Sequence, residues 1–193
     1  MNESEDLLLV RCFTDILDRL DIGYVIGGSM ASSIYGVVRF TQDADVTVEP
    51  FDNLAHELFE MLRPDYYISR QAMYQALREH SSFNIIHLTS AFKIDVFVRK
   101  NTAFEKQLIA RGKKIKLSDQ LKKKFSVVSP EDIILLKLRW YCDGGCSSQR
   151  QWKDALGVLA IQAGRLDFKY LNSWADKLKI NKLLEKAVLE TRQ

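Results

Sequence analysis

The chain has 193 residues, of which 47% are hydrophobic and 27% are charged, with a formal net charge of +3. These values are ordinary for a soluble globular protein. No apolar run approaches the roughly 20 residues of a membrane-spanning helix, so we expect no membrane association. The acidic start at residues 1–6 does not resemble a secretory signal.

Hydrophobic periodicity predicts alternating helices and strands over the first two thirds of the chain. Apolar spacings of three and four residues indicate a helix over 5–20, and the short apolar run 24–26 is typical of a buried strand. Further helices are predicted at 29–35, 52–62 and 102–111, while 71–78 is either a short helix or a loop. Further strands are predicted at 44–49, 66–69, 83–88, 93–98, 113–117 and 125–128. Residues 89–91 predict a hairpin between two of these strands.

The last third of the chain is predicted to be helical. Ser129, Pro130, Glu131 and Asp132 form a strong helix start, because a cap is followed by a proline and two acids in the first turn. Helices are expected at 130–142, 148–163, 168–178 and 181–191. We therefore predict an α/β (α+β) fold: a mixed sheet with flanking helices at 1–125, then a helical C-terminal region at 126–193.

The three cysteines, Cys12, Cys142 and Cys146, give an odd count without framework spacing. This pattern predicts reduced thiols and a cytoplasmic protein. Cys142 and Cys146 lie four residues apart, but no histidine or second cysteine pair accompanies them. A zinc site there is the weaker alternative.

Three aspartates in strand patterns are the main candidates for chemistry. Asp43 and Asp45 lie two residues apart, so they project from one face of a strand while Ala44 projects from the other. Asp95 lies in a later predicted strand, and a neighbouring position in the sheet would add it to the pair. Clustered carboxylates need cations, and their hard oxygen atoms suit Mg²⁺ or Mn²⁺.

The order of these motifs resembles the nucleotidyltransferase superfamily typified by DNA polymerase beta. The matching segments are Ile26-Gly27-Gly28-Ser29, then Asp43-Ala44-Asp45-Val46, and the third acid in Lys93-Ile94-Asp95-Val96-Phe97. Arg39-Phe40-Thr41-Gln42-Asp43 and the helical tail resemble small stand-alone bacterial members. That group includes AbiEii-type toxins and relatives of aminoglycoside nucleotidyltransferases.

The resemblance implies a metal-dependent enzyme that transfers a nucleoside monophosphate from a nucleoside triphosphate such as ATP to an acceptor hydroxyl. Asp43, Asp45 and Asp95 are then the catalytic and metal-binding residues, with Mg²⁺ or Mn²⁺ as cofactor. The predicted nucleotide-binding residues are Gly27, Gly28, Ser29, Arg39, Thr41 and Lys137. The two glycines allow the backbone to approach a phosphate, and Ser29 lies where a helix N-terminus favours anions. Lys153 and Asp154 are either a surface pair or part of the site.

The acceptor stays open between RNA, a protein side chain and a small molecule. Residues 99–124 contain ten basic and two acidic residues, a net charge of +8. This stretch fits either a polyanion such as RNA or a solvated surface, and it makes a polycationic antibiotic a less attractive acceptor. The alternative function is a non-catalytic nucleotide-binding protein or toxin–antitoxin component of the same fold. The sequence predicts neither base preference nor oligomeric state.

Overall fold

The computed structural model of the chain describes residues 3–39, 41–118 and 123–192, with side chains from residue 5 onwards. Phe40 of the Arg39–Asp43 motif, and Asp119 and Lys122 of the basic stretch, lie outside the described residues. The chain divides into two compact units. The sheet unit comprises Met1–Ile26 and Thr41–Val127, and the helical unit comprises Gly27–Phe40 and Val128–Gln193.

The sheet unit contains a mixed sheet of seven strands among the described residues, in the order β3-β4-β5-β2-β1-β7-β6. The strands are β1 Tyr24–Ile26, β2 Asp43–Val48, β3 Tyr66–Ile68, β4 Ser82–His87, β5 Lys93–Val98, β6 Lys113–Lys116 and β7 Lys124–Val127. The helices of this unit are α1 Glu3–Arg19, α3 Ala55–Leu62, α4 Arg70–Glu79 and α5 Ala103–Ala110. β2 and β5 are parallel neighbours, and β4 pairs antiparallel with β5.

Buried and half-buried side chains alternate along β2 and β5, two neighbouring strands of the sheet. In β2, Ala44, Val46 and Val48 are fully buried, while the residues between them are half-buried. β5 repeats the pattern with Ile94 and Val96 on its buried face. Both strands therefore bury one apolar face in the core and direct their polar residues to the opposite face.

The helical unit consists of α2 Gly28–Tyr35, α6 Pro130–Asp143, α7 Gln149–Gln162, α8 Phe168–Lys177 and α9 Asn181–Glu190. Ser129 caps α6, because its hydroxyl accepts a hydrogen bond from the backbone N–H of Asp132. The C-terminal end of α2 packs tightly on α7. A Cβ at Gly36 would lie 2.8 Å from the backbone nitrogen of Val158, so only glycine permits this approach.

The fold class predicted from the sequence is confirmed: a mixed sheet and many helices are present. The ambiguous segment 71–78 is a helix, α4, because Ser69 caps it by accepting a hydrogen bond from the N–H of Ala72. Within the parts of the chain that the structure describes, no helix has the length and apolar character needed to cross a bilayer.

Candidate active site

The predicted carboxylates lie on one face of the sheet in the sheet unit. In the parallel pairing of β2 with β5, Asp45 lies opposite Asp95, and Asp43 lies opposite Lys93. Paired residues on adjacent strands lie about 4.8 Å apart and point to the same face. All three aspartates are half-buried on the polar face of the sheet. The register therefore places three aspartates from two strands on one face of the sheet.

A lysine neutralises part of this negative charge. The ammonium of Lys93 lies 2.7 Å from the carboxylate of Asp95. The hydrogen bond to Asp95 is the main cause that raises the pKa of Lys93 above its usual value; burial opposes the shift, and attraction to Asp95, Asp43 and Asp45 adds to it. A cation is thus already present among the carboxylates, although the sequence analysis did not identify it.

Two neutral residues lie next to the carboxylates. The hydroxyl of Thr41 donates a hydrogen bond of 2.8 Å to Oδ1 of Asp43, which orients this carboxylate. Asn84 of β4 lies opposite Asp95 in the antiparallel pairing with β5 and is exposed. Sequence analysis predicted a role for Thr41 but missed Asn84, because strand register is not visible in a local pattern.

The remaining predicted residues belong to the helical unit, where the glycine-serine turn begins α2. Gly28 has a φ of +55°, in the left-handed region that favours glycine. Ser29 is buried in the first turn of the helix, where backbone N–H groups favour anions. The turn therefore has the backbone conformation that its glycine predicted.

Arg39, Lys137 and Asp154 form a partly buried charged network beside this turn. The ammonium of Lys137 lies 2.8 Å from Oδ2 of Asp154, and Nε of Arg39 lies 3.1 Å from Oδ1 of the same carboxylate. Arg39 also donates a hydrogen bond to the hydroxyl of Ser29. Two cations thus share one carboxylate next to the start of α2.

Asp154 orients both cations. Burial opposes its ionisation, but hydrogen bonds from Arg39 and Lys137 outweigh burial and lower the pKa of Asp154 below its usual value. The side chain of Lys137 is only 2% exposed, and the carboxylate of Asp154 offsets part of the cost of burying its charge. Lys153, in contrast, is exposed. Asp154 lies on the same face of α7 as Gly157 and Val158, which are buried. This spacing is the signal in the sequence that favours a buried position for Asp154.

The carboxylates are not arranged as a closed metal site. Among the described residues, no group of three histidine, cysteine, aspartate or glutamate side chains is placed to hold a metal ion. The donor set of Asp43, Asp45 and Asp95 nevertheless suits a divalent cation, because its members are hard oxygen ligands that already attract an ammonium group. Cys142 and Cys146 are exposed and form no disulfide bond.

The basic stretch is partly neutralised inside the sheet unit. Arg99 pairs with Glu49, and Lys123 pairs with Asp15 and Asp18. The lysines of β6 are exposed at the edge of the sheet. The described residues of the stretch therefore include both internally paired and exposed charges, and a role in binding a polyanion stays a prediction.

No protein-family model and no curated protein sequence matches the chain. Several solved structures are similar to the chain. An antigenic nucleotidyltransferase-like protein from Paracoccidioides brasiliensis is similar with a TM-score of 0.58 and 16% identity, over 97% of this chain and 94% of that chain. The antibiotic-resistance factor ANT(2'')-Ia is similar with a TM-score of 0.56 and 15% identity, over 99% of this chain and 98% of that chain.

A third solved structure, the lincomycin-bound lincosamide antibiotic adenylyltransferase LnuA, has a TM-score of 0.55 and 13% identity, over 83% of this chain and 98% of that chain. Likeness at these identities shows a shared fold. The predicted relation to AbiEii-type toxins stays a prediction. The chain therefore has a nucleotidyltransferase-like fold.

Proposed function

We propose that this chain is a metal-dependent nucleotidyltransferase, which moves a nucleoside monophosphate from a nucleoside triphosphate to an acceptor hydroxyl. The single observation that carries the proposal is the carboxylate arrangement: Asp45 and Asp95 are cross-strand neighbours, and Asp43 lies on the same face. The nucleotidyltransferase fold supports the same reaction class.

In this function, Asp43, Asp45 and Asp95 hold Mg²⁺ or Mn²⁺. When bound, the metal lowers the pKa of the acceptor hydroxyl and neutralises charge on the triphosphate. Thr41 keeps the carboxylate of Asp43 in position through its hydrogen bond. The carboxylate of Asp95 accepts the proton that the hydroxyl releases.

The positively charged network of the helical unit is suited to phosphate binding. Gly28 and Ser29 offer backbone N–H groups at the start of α2, and Arg39 offers further donors next to Ser29. Lys137 adds a second positive charge, and Asp154 keeps both cations oriented. We assign Ser29, Arg39 and the backbone of Gly27 and Gly28 to the β- and γ-phosphates of the nucleotide. Lys137, which is only 2% exposed, contributes through its positive charge.

The reaction then follows from these roles. The acceptor oxygen attacks the α-phosphorus, a new P–O bond forms, and the bond between the α-phosphorus and its bridging oxygen breaks. Pyrophosphate leaves with the electron pair of that bond, and its charge is stabilised by the cations around it.

A labelling experiment tests the proposal. The protein is incubated with α-labelled nucleoside triphosphates, Mg²⁺ or Mn²⁺, and either total RNA or cell lysate. Asp43→Asn/Asp45→Asn is compared with Asp176→Asn, which changes an exposed acid of α8. We expect label on an acceptor with the unmodified protein and with Asp176→Asn, and none with the double variant.

Nucleotide binding without any transfer would contradict the proposal and support a non-catalytic binding protein instead. The labelled product also distinguishes RNA, protein and small-molecule acceptors, because these separate by size and by sensitivity to nuclease or protease.

A further inference from the structure

Lys93 lies among the three carboxylates on the polar face of the sheet. Its ammonium is 2.7 Å from Oδ2 of Asp95. Its backbone position is directly opposite Asp43 in the pairing of β2 with β5, and Asp45 is opposite Asp95. One lysine therefore faces carboxylates on both strands, because all four residues alternate onto the same face.

Lys93 brings one positive charge to a face that carries three aspartates. The ammonium lies on Oδ2 of Asp95, and carboxylate oxygen atoms are also the ligands that a hard divalent cation prefers. A divalent cation supplies more charge than the lysine and binds several oxygen atoms at once, so the two cations compete for the same carboxylate.

We infer that Lys93 is a tethered counter-ion for Asp43, Asp45 and Asp95, which a divalent cation must displace from Asp95 when it binds. This inference rests on the proposed function, since it assumes that the carboxylates hold a metal. Without metal, the lysine reduces repulsion between the carboxylates and stabilises the sheet. With metal, the lysine is a competitor, so it weakens metal affinity.

Direct measurement of Mn²⁺ binding tests this inference without any need for turnover. Electron paramagnetic resonance measures free Mn²⁺ in titrations of the unmodified protein, Lys93→Met, Lys93→Gln and Lys93→Arg. The matched control is Lys113→Met, which removes an exposed lysine of β6, four strand positions away from β5 in the sheet order. Asp45→Asn reports on the metal site itself.

We expect Lys93→Met and Lys93→Gln to bind Mn²⁺ about fivefold more tightly than the unmodified protein, the scale of a partly exposed ion pair. Lys93→Arg retains the charge and should bind like the unmodified protein, as should Lys113→Met. Thermal unfolding gives a second readout: in EDTA the two neutral variants should melt at a lower temperature, and saturating Mn²⁺ should raise their Tm more than that of the unmodified protein.

Two results would overturn different parts of the account. Equal or weaker Mn²⁺ binding by both neutral variants, together with weakened binding by Asp45→Asn, would refute the counter-ion role and leave the proposed metal site intact. Unchanged Mn²⁺ binding by Asp45→Asn would refute the metal site, and the proposed function with it. If Lys93→Met does not fold, Lys93→Gln gives the same comparison.

Discussion

Asp154→Asn should destabilise the helical unit, because Asp154 is the shared partner of two cations. The substitution keeps the shape of the side chain and removes its negative charge. Arg39 is 29% exposed and can turn to water, whereas Lys137 is 2% exposed and cannot. Removing one partner of a buried ion pair costs about 3–5 kcal/mol. The amide oxygen of asparagine still accepts one hydrogen bond, so we expect about 3 kcal/mol.

Urea unfolding, followed by tryptophan fluorescence, measures the loss of stability with probes that lie in the helical unit. The chain has three tryptophans, Trp140, Trp152 and Trp174, and all of them lie in that unit. The matched control Asp176→Asn removes an exposed acid of α8 and should change the free energy of unfolding by less than about 0.5 kcal/mol. Lys137→Met/Asp154→Asn should be more stable than Asp154→Asn, because it no longer buries an ammonium that has lost the carboxylate of Asp154.

The pH dependence gives a further check with a defined sign. Hydrogen bonds from Arg39 and Lys137 hold the pKa of Asp154 in the folded protein below the ordinary value of an aspartate side chain. Stability from this carboxylate is therefore fully present above about pH 4 and is lost as the pH falls through the folded-state pKa. The difference between the unmodified protein and Asp154→Asn should shrink on acidification below pH 3.8. An equal urea midpoint for the two proteins at pH 7 would refute the reasoning.

Three further substitutions test individual parts of the structure. Gly36→Ala places a Cβ 2.8 Å from the backbone nitrogen of Val158 and should cost about 1–3 kcal/mol in urea unfolding, whereas Gly164→Ala, which meets no atom within 4 Å, should not. Gly28→Ala should cost about 1–2 kcal/mol in the same assay, because its φ is +55°; a midpoint equal to that of Gly164→Ala would contradict this. Thr41→Val should weaken Mn²⁺ binding about fivefold by removing the hydrogen bond to Asp43, and Thr41→Ser should restore it; equal affinities would exclude a bracing role.

The strands that carry the aspartates were predictable because their signal is local. The alternation of buried and half-buried residues in β2 and β5 repeats the apolar and polar alternation of the sequence. The hairpin between β4 and β5 was predictable for the same reason, since both strands and the short turn between them are contiguous. Local patterns therefore indicated which face carries the carboxylates.

The partners of those carboxylates were not predictable, because they depend on register between distant strands. The sequence does not show that Asp45 lies opposite Asp95, or that Asn84 lies on the other side of Asp95. In the sequence, Lys93 stands out only as part of a strand motif. Its position opposite Asp43 follows from the parallel pairing, which no local pattern specifies.

The charged network of the helical unit was hidden for a related reason. Ser29 and Arg39 are separated from Asp154 by more than 100 residues, and the two segments meet only in the tertiary structure. The role of Lys137 follows from the family resemblance alone. For Asp154, the sequence does not decide between a place on the surface and a place in the site. The burial of Asp154 depends on the packing of α2 against α7. This packing requires the close approach at Gly36.

The most direct test of the central claim is a crystal structure with Mn²⁺ and a non-hydrolysable nucleoside triphosphate, with manganese located by its anomalous signal. We expect manganese within coordination distance of oxygen atoms from Asp43, Asp45 and Asp95. We also expect the ammonium of Lys93 to have moved away from Asp95. An anomalous peak elsewhere, with Lys93 still bound to Asp95 while nucleotide is present, would contradict the account.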